Sequence, residues 1–200
     1  MCRFIETIRL ENGEVRFPED HEKRMNATRE HFWPGEPPLH LADYIQPEPM
    51  SGRVRCRVTY GREIQRVEYF AYHPRMVRSL QCVETSGVDY HYKYADRSVL
   101  DALFARRGDA DDVLLFNDGI LTDTSIANVA LWNGSEWHTP EIPLLEGTHR
   151  SRLLRNGLLK PRTIRLEDLP DYQSVTLFNA MLDFGEVQLP VSAIHPEPVK

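Results

Sequence analysis

Lys93 is the residue whose type and surroundings most suggest chemistry. The chain has 24 lysines and arginines, and only four of these are lysine. Arginine suits planar recognition of carboxylates and phosphates, whereas a lysine amine can be tuned as a base or nucleophile. Lys23 falls in a charged helical stretch, Lys160 precedes a proline and Lys200 ends the chain. Lys93 alone sits among aromatic rings, in Tyr90-His91-Tyr92-Lys93-Tyr94. Burial among tyrosines favours the reactive neutral amine over the ammonium. The plainer alternative is a surface lysine between two packed tyrosines.

Two later segments also concentrate polar residues near turns. One is Asn117-Asp118-Gly119-Ile120-Leu121-Thr122-Asp123-Thr124-Ser125-Ile126-Ala127-Asn128, and the other runs from Thr139-Pro140 to Leu145-Glu146-Gly147-Thr148-His149-Arg150. Thr122-Asp123-Thr124 is equally compatible with ordinary turn chemistry, and Gly147 with an ordinary helix entry. A third feature is the alternation in Arg53 to Tyr60. It puts Val54, Cys56, Val58 and Tyr60 on one face of a strand and Arg53, Arg55, Arg57 and Thr59 on the other. Arg55 could grip a substrate carboxylate as a bidentate fork. It could equally pair across strands with Glu63 and Glu68 on an exposed face.

The elements that must position these residues read as α+β. Phe4 to Leu10 alternates and is closed by Asn12-Gly13, predicting a strand, a hairpin turn and a strand through Phe17. A helix follows over Asp20 to Phe32, with His21, Arg24, Met25 and Thr28 on one stripe. A short helix is expected over Leu39 to Ile45, between the prolines at 34–38 and 47–49. The clearest hairpin is Arg53–Tyr60, Gly61-Arg62, Glu63–Tyr72. His73-Pro74 marks a boundary, giving a small α+β lobe over residues 1–75 and a larger lobe over 76–200. The second lobe should hold strands near 77–83, 113–116, 120–121, 128–132, 163–165, 175–178 and 186–189, with one more reaching Thr139. Its helices should cover Asp96 to Arg106, with Asp96 as N-cap, and Thr148 to Arg155, with another short helix after Arg165. Most strands should be antiparallel.

Composition narrows the function classes. A net charge of −6 argues against nucleic-acid or anionic-membrane partners. No apolar run reaches membrane-spanning length, and the N-terminus lacks a signal-peptide core. Cys2, Cys56 and Cys82 have no metal-ligand spacing, nor do the eight histidines, so reduced thiols, a cytoplasmic location and no metal site are expected.

Taken in order, these motifs resemble the class IV aminotransferases, the fold-type-IV pyridoxal-phosphate enzymes. That family includes branched-chain and D-amino-acid aminotransferases and 4-amino-4-deoxychorismate lyase. Its pattern is a Schiff-base lysine followed by Asn/Asp-Arg, then Glu-Gly-x-x-x-Asn, Thr-Pro and Gly-Ile-Thr-Arg. Lys93 with Asp96-Arg97, Asp123 to Asn128, Thr139-Pro140 and Gly147 to Arg150 follow it, while Glu6-Thr7 and His21-x-x-Arg24 match its Phe-Glu-Thr and His-x-x-Arg-Leu.

The resemblance implies a two-lobed fold like that of D-amino-acid aminotransferase, with the cofactor between lobes, a homodimer and a trimmed first lobe. It makes Lys93 the carrier of pyridoxal 5'-phosphate and the shuttle for the substrate α-proton. Asp123 replaces the usual glutamate at the ring nitrogen, one methylene shorter. Arg24 would bind phosphate, helped by N–H groups at Thr124 and Ser125 and at Gly147, Thr148 and His149, and Arg55 would bind a small amino-acid-like substrate. Two reactions stay open: pyruvate elimination from aminodeoxychorismate, which the trimmed lobe and basic face favour, and amino-acid transamination. A non-catalytic relic is the reading from another class.

Overall fold

The computed structural model describes residues 3–46, 51–85 and 87–196. Cys2, the prolines at 47 and 49, and Lys200 lie outside the described residues. The chain forms two compact units: residues up to Pro74 with Tyr92–Asp96, and Arg75–His91 with everything from Arg97.

In the first unit, strands β1 (Phe4–Glu11), β2 (Glu14–Val15), β3 (Arg53–Tyr60) and β4 (Ile64–Ala71) form an antiparallel sheet in the order β2-β1-β3-β4. The Asn12-Gly13 turn takes positive φ at both residues, 50° and 86°, as a tight two-residue hairpin requires. Alternation decides the packing. Phe4, Ile8 and Leu10 of β1 join Val54, Cys56, Val58 and Tyr60 of β3 in one buried cluster, with Met25 of the helix α1 (Pro18–Phe32). The helix starts two residues before the expected Asp20, because Pro18 presets a helical φ at the first turn. The predicted helix at 39–45 is only a 3-10 turn, Leu41–Asp43. Side chains bind its approach instead: Asn26 and Glu22 accept from the Leu39 and Leu41 N–H groups.

Lys93 belongs to this first unit and not, as the sequence suggested, to the second. Since β2 covers only Leu10 and Glu11, the Phe4–Ile5 end of β1 keeps an open edge. Tyr92–Asp96 fills it: Ile5 N–H donates to the Lys93 carbonyl at 2.9 Å, Ala95 N–H donates to the Arg3 carbonyl at 2.8 Å, and Phe4 bridges Tyr94. The rings of Tyr92 and Tyr94 then pack on Phe4, at 6.2 and 5.2 Å between centroids.

The second unit has two sheets. One contains β5 (Leu80–Glu84), β6 (Asp112–Asn117), β7 (Ile120–Thr124) and β13 (Ile194–His195), in the order β13-β5-β6-β7. The other contains β8 (Asn128–Trp132), β9 (Trp137–Pro140), β10 (Leu159–Arg162), β11 (Ser174–Phe178) and β12 (Val187–Pro190), in the order β10-β9-β8-β11-β12. Both are mixed, because β5–β6, β13–β5 and β9–β10 are parallel pairs. Strand β10 lies earlier than the predicted 163–165, and its Pro161 is tolerated because β10 is an edge. Helix α2 (Ser98–Ala105) is entered from Arg97 without a side-chain cap, so Asp96 is not its N-cap. Helix α3 (Thr148–Arg155) is entered from Gly147, as expected.

Candidate active site

Within the first unit the reactive groups gather around Glu6. On β1 this carboxylate occupies a core-facing position between Phe4 and Ile8 and is fully buried. Such a charge must be paired. Arg24 of α1 donates from Nε to Oε1 at 2.9 Å and from Nη2 to Oε2 at 2.6 Å. His21 Nδ1, protonated because a carboxylate can only accept, donates to Oε2 at 2.7 Å. Burial pulls the Glu6 pKa upwards, yet the Arg24 charge with the hydrogen bonds from His21 and Arg24 holds it at about 2. Burial lowers the pKa of His21, with Glu6 opposing, and the Lys93 charge is felt at the same imidazole. Lys93, Arg24, Glu6 and His21 therefore form one electrostatic group.

The opposite face of the same sheet carries the arginine row. Arg9 and Arg53 share Glu11, at 2.5 and 3.9 Å, and Arg66 takes Glu68 at 2.9 Å. Arg55 lies over the Phe70 ring at 4.9 Å. The Nε atoms of Arg55 and Arg57 are buried and have no hydrogen-bond partner among the described residues. Buried donors normally find acceptors; Arg29 Nη2 also has no partner among the described residues, but on the arginine face it is Arg55 and Arg57 that keep donor capacity for an anion.

In the second unit Asp123 sits one residue before the end of β7 and is buried. Asn128 Nδ2 donates to Oδ1 at 2.7 Å and Leu145 N–H donates to Oδ2 at 2.9 Å, with the Leu144 N–H also directed at the carboxylate. Desolvation outweighs these donors and the nearby Arg150 charge, and pushes the Asp123 pKa up to about 7. Gly147, Thr148 and His149 follow Leu144 and Leu145 and form the entry and first residues of α3. His149 Nδ1 donates to the Asn179 carbonyl at 2.8 Å, and burial lowers its pKa. At Gly147 a Cβ would stand 1.9 Å from Asn128 Oδ1, so any side chain there must push the Asn128 carboxamide aside.

Thr124 and Ser125 fit a phosphate-binding role poorly. The Thr124 N–H donates to the Ala127 carbonyl at 2.9 Å, and its hydroxyl oxygen accepts from the Ile126 and Ala127 N–H groups at 3.3 and 3.0 Å. The hydroxyl and N–H of Ser125 both serve the fully buried Asp112 on β6, while Arg97 donates to its carbonyl at 2.8 Å. The Thr124 donors are spent on the β7–β8 turn, and those of Ser125 on Asp112 of β6. In the sequence Glu6, His21 and Asn128 are only flanking letters of their motifs, although a charged residue inside an apolar alternation is itself a signal for Glu6.

The model of amino-transferase class IV matches residues 51–189. An uncharacterized protein of Haemophilus influenzae is 35% identical over 90% of this chain and 98% of its own. A solved structure from Haemophilus somnus, provisionally named 4-amino-4-deoxychorismate lyase, superposes with a TM-score of 0.82 at 30% identity, covering 90% of this chain and 97% of that one. A Schizosaccharomyces pombe protein, provisionally named aminodeoxychorismate lyase, is 29% identical over 94% of this chain and 89% of its own.

Proposed function

The chain belongs to the class IV aminotransferase family, whose members depend on pyridoxal phosphate, and we propose that it is a 4-amino-4-deoxychorismate lyase. The observation that carries the lyase reading is the pair of unspent guanidinium donors at Arg55 and Arg57. Two cations on one strand face suit a substrate with more than one carboxylate, and Arg forks match carboxylates well. The provisional lyase names of the Haemophilus somnus and Schizosaccharomyces pombe relatives point the same way.

Each unit holds groups of the kind a phosphorylated pyridine aldehyde needs. There is an amine at Lys93, a guanidinium at Arg24, a buried carboxylate at Asp123 and a glycine-entered helix at Gly147, Thr148 and His149. The bound cofactor supplies an electron sink for cleavage at the substrate α-carbon. Lys93 would hold it and move the α-proton. Arg24, fixed by Glu6 and His21, would neutralise phosphate charge, with main-chain N–H groups at the start of α3 as further donors. Asp123 would hold the ring proton, and Arg55 a substrate carboxylate.

Borohydride reduction and peptide mapping test the cofactor assignment, with a phosphopyridoxyl label expected on Lys93. Incubation with aminodeoxychorismate tests the reaction: pyruvate and 4-aminobenzoate should form with no keto acid added. A label on Lys23, Lys160 or Lys200 would refute the first. A stoichiometric half-reaction with simple amino acids, and no pyruvate from aminodeoxychorismate, would make the protein a transaminase instead.

A further inference from the structure

Asn128 holds three parts of the second unit together. Its Nδ2 donates to Asp123 Oδ1 at 2.7 Å and to the Leu145 carbonyl at 2.9 Å, and its Oδ1 fills the space a side chain would need at Gly147. Asp123 lies one residue before the end of β7, Asn128 at the start of β8, and Gly147 at the entry to α3. One carboxamide thus fixes a carboxylate and a helix entry that are far apart in sequence. An amide is suited to this task because it presents two donors and an acceptor in one rigid plane.

We propose that Asn128 is a positioning residue, which clamps the Asp123 carboxylate in its anionic, acceptor-only orientation and ties it to the entry of α3 through Gly147. The inference deepens the cofactor reading and rests on it: the group meant for the ring nitrogen and the helix meant for phosphate would be kept in register by one side chain. Three N–H donors, from Asn128, Leu144 and Leu145, and the Arg150 charge on α3 favour the anion, while burial opposes it. Glu146, also at the approach to α3, acts on Arg150. Removing one of these N–H donors should therefore shift the carboxyl towards its neutral form.

The test uses cofactor-free protein and NMR of labelled aspartate carboxyl carbons, with the Asp123 signal identified by its loss in Asp123→Asn. In the unaltered protein the Asn128 side-chain amide resonance should move with the same midpoint as Asp123. Asn128→Ala should raise that midpoint by roughly one pH unit, the effect of losing one hydrogen bond to a charged acceptor. Gly147→Ala should raise it too, although Asn128 is retained, because the methyl displaces Oδ1. In the double variant the methyl enters the vacated space, so the second substitution should add nothing. An Asn128 amide that ignores the Asp123 titration overturns the proposal without any variant. So does an unmoved midpoint in either well-folded single variant. None of these measurements involves pyridoxal phosphate, so a missing Lys93 label and a failed clamp are separate outcomes.

Discussion

Glu6 and Arg24 form a doubly hydrogen-bonded ion pair, Nε to Oε1 at 2.9 Å and Nη2 to Oε2 at 2.6 Å, whose carboxylate is fully buried in an apolar sheet face. The guanidinium is thereby oriented from behind, while the Arg24 side chain as a whole stays 18% exposed. Arg24→Ala should consequently do two things. It should weaken cofactor binding about ten- to a hundredfold, the worth of a charge-assisted phosphate contact. It should also destabilise the protein by about 3–5 kcal/mol, because it strands a buried charge. Glu6→Gln in the Arg24→Ala background should recover part of that stability and none of the affinity. Denaturant unfolding and a cofactor titration separate the two effects; an unchanged dissociation constant would leave Arg24 a structural residue only.

The same pair makes acid stability predictable in sign. Glu6 has its pKa held down at about 2 against an ordinary 4.5. A depressed carboxylate contributes stability above its unfolded value and loses it as pH falls through the folded one. About 3 kcal/mol should therefore disappear between pH 4.5 and pH 2. His21, also depressed, acts in the same direction, since the unfolded chain takes up its proton first as pH falls below 6.5. Asp123 acts oppositely: its raised pKa means stability that is complete below 3.8 and is lost as pH rises through about 7. In Glu6→Gln the loss of stability below pH 4.5 should be much shallower, as measured by unfolding at a series of pH values.

Ser125 gives a prediction against its motif. Its hydroxyl and N–H serve Asp112, which Arg75 also contacts and whose pKa is raised by burial. Ser125→Ala should cost about 1–2 kcal/mol of stability and leave cofactor affinity unchanged. A clear loss of affinity in a variant of normal stability would restore the phosphate-binding role.

What the sequence disclosed follows from the range of the forces involved. The buried set Val54, Cys56, Val58 and Tyr60 was readable because strand alternation is local. The α3 start was readable from Gly147, and the Asn12-Gly13 hairpin from its turn residues. The placement of Lys93 was not, because its segment is held by an edge that β2 leaves open some eighty residues earlier. The contact of Ser125 with Asp112 was hidden for the same reason: its partner lies on another strand, and no motif records where a donor is spent. The parallel pairing of β9 with β10 and of β13 with β5 is likewise a matter of long-range topology.

The last prediction concerns the substrate and rests on Arg55 and Arg57. They sit two residues apart on β3, opposite Phe70 and Glu68 of β4, and each keeps a buried Nε without a partner among the described residues. Neighbouring cations on this face already have carboxylate partners: Arg9 and Arg53 share Glu11, and Arg66 is paired with Glu68. Arg55 also has the Phe70 ring beneath it, which stiffens the guanidinium plane. If this face binds substrate carboxylates, Arg55→Ala should raise KM about ten- to a hundredfold through loss of charge-assisted hydrogen bonds, with little change in the cofactor spectrum. Arg55→Lys should recover only part of that loss, because an ammonium cannot make the planar fork. Arg57→Ala should add to the defect for aminodeoxychorismate and have less effect on a monocarboxylate amino acid. Steady-state kinetics with both substrates decide the matter. If KM is unchanged in both alanine variants, the arginine face does not bind substrate, and the lyase reading loses the observation that carries it.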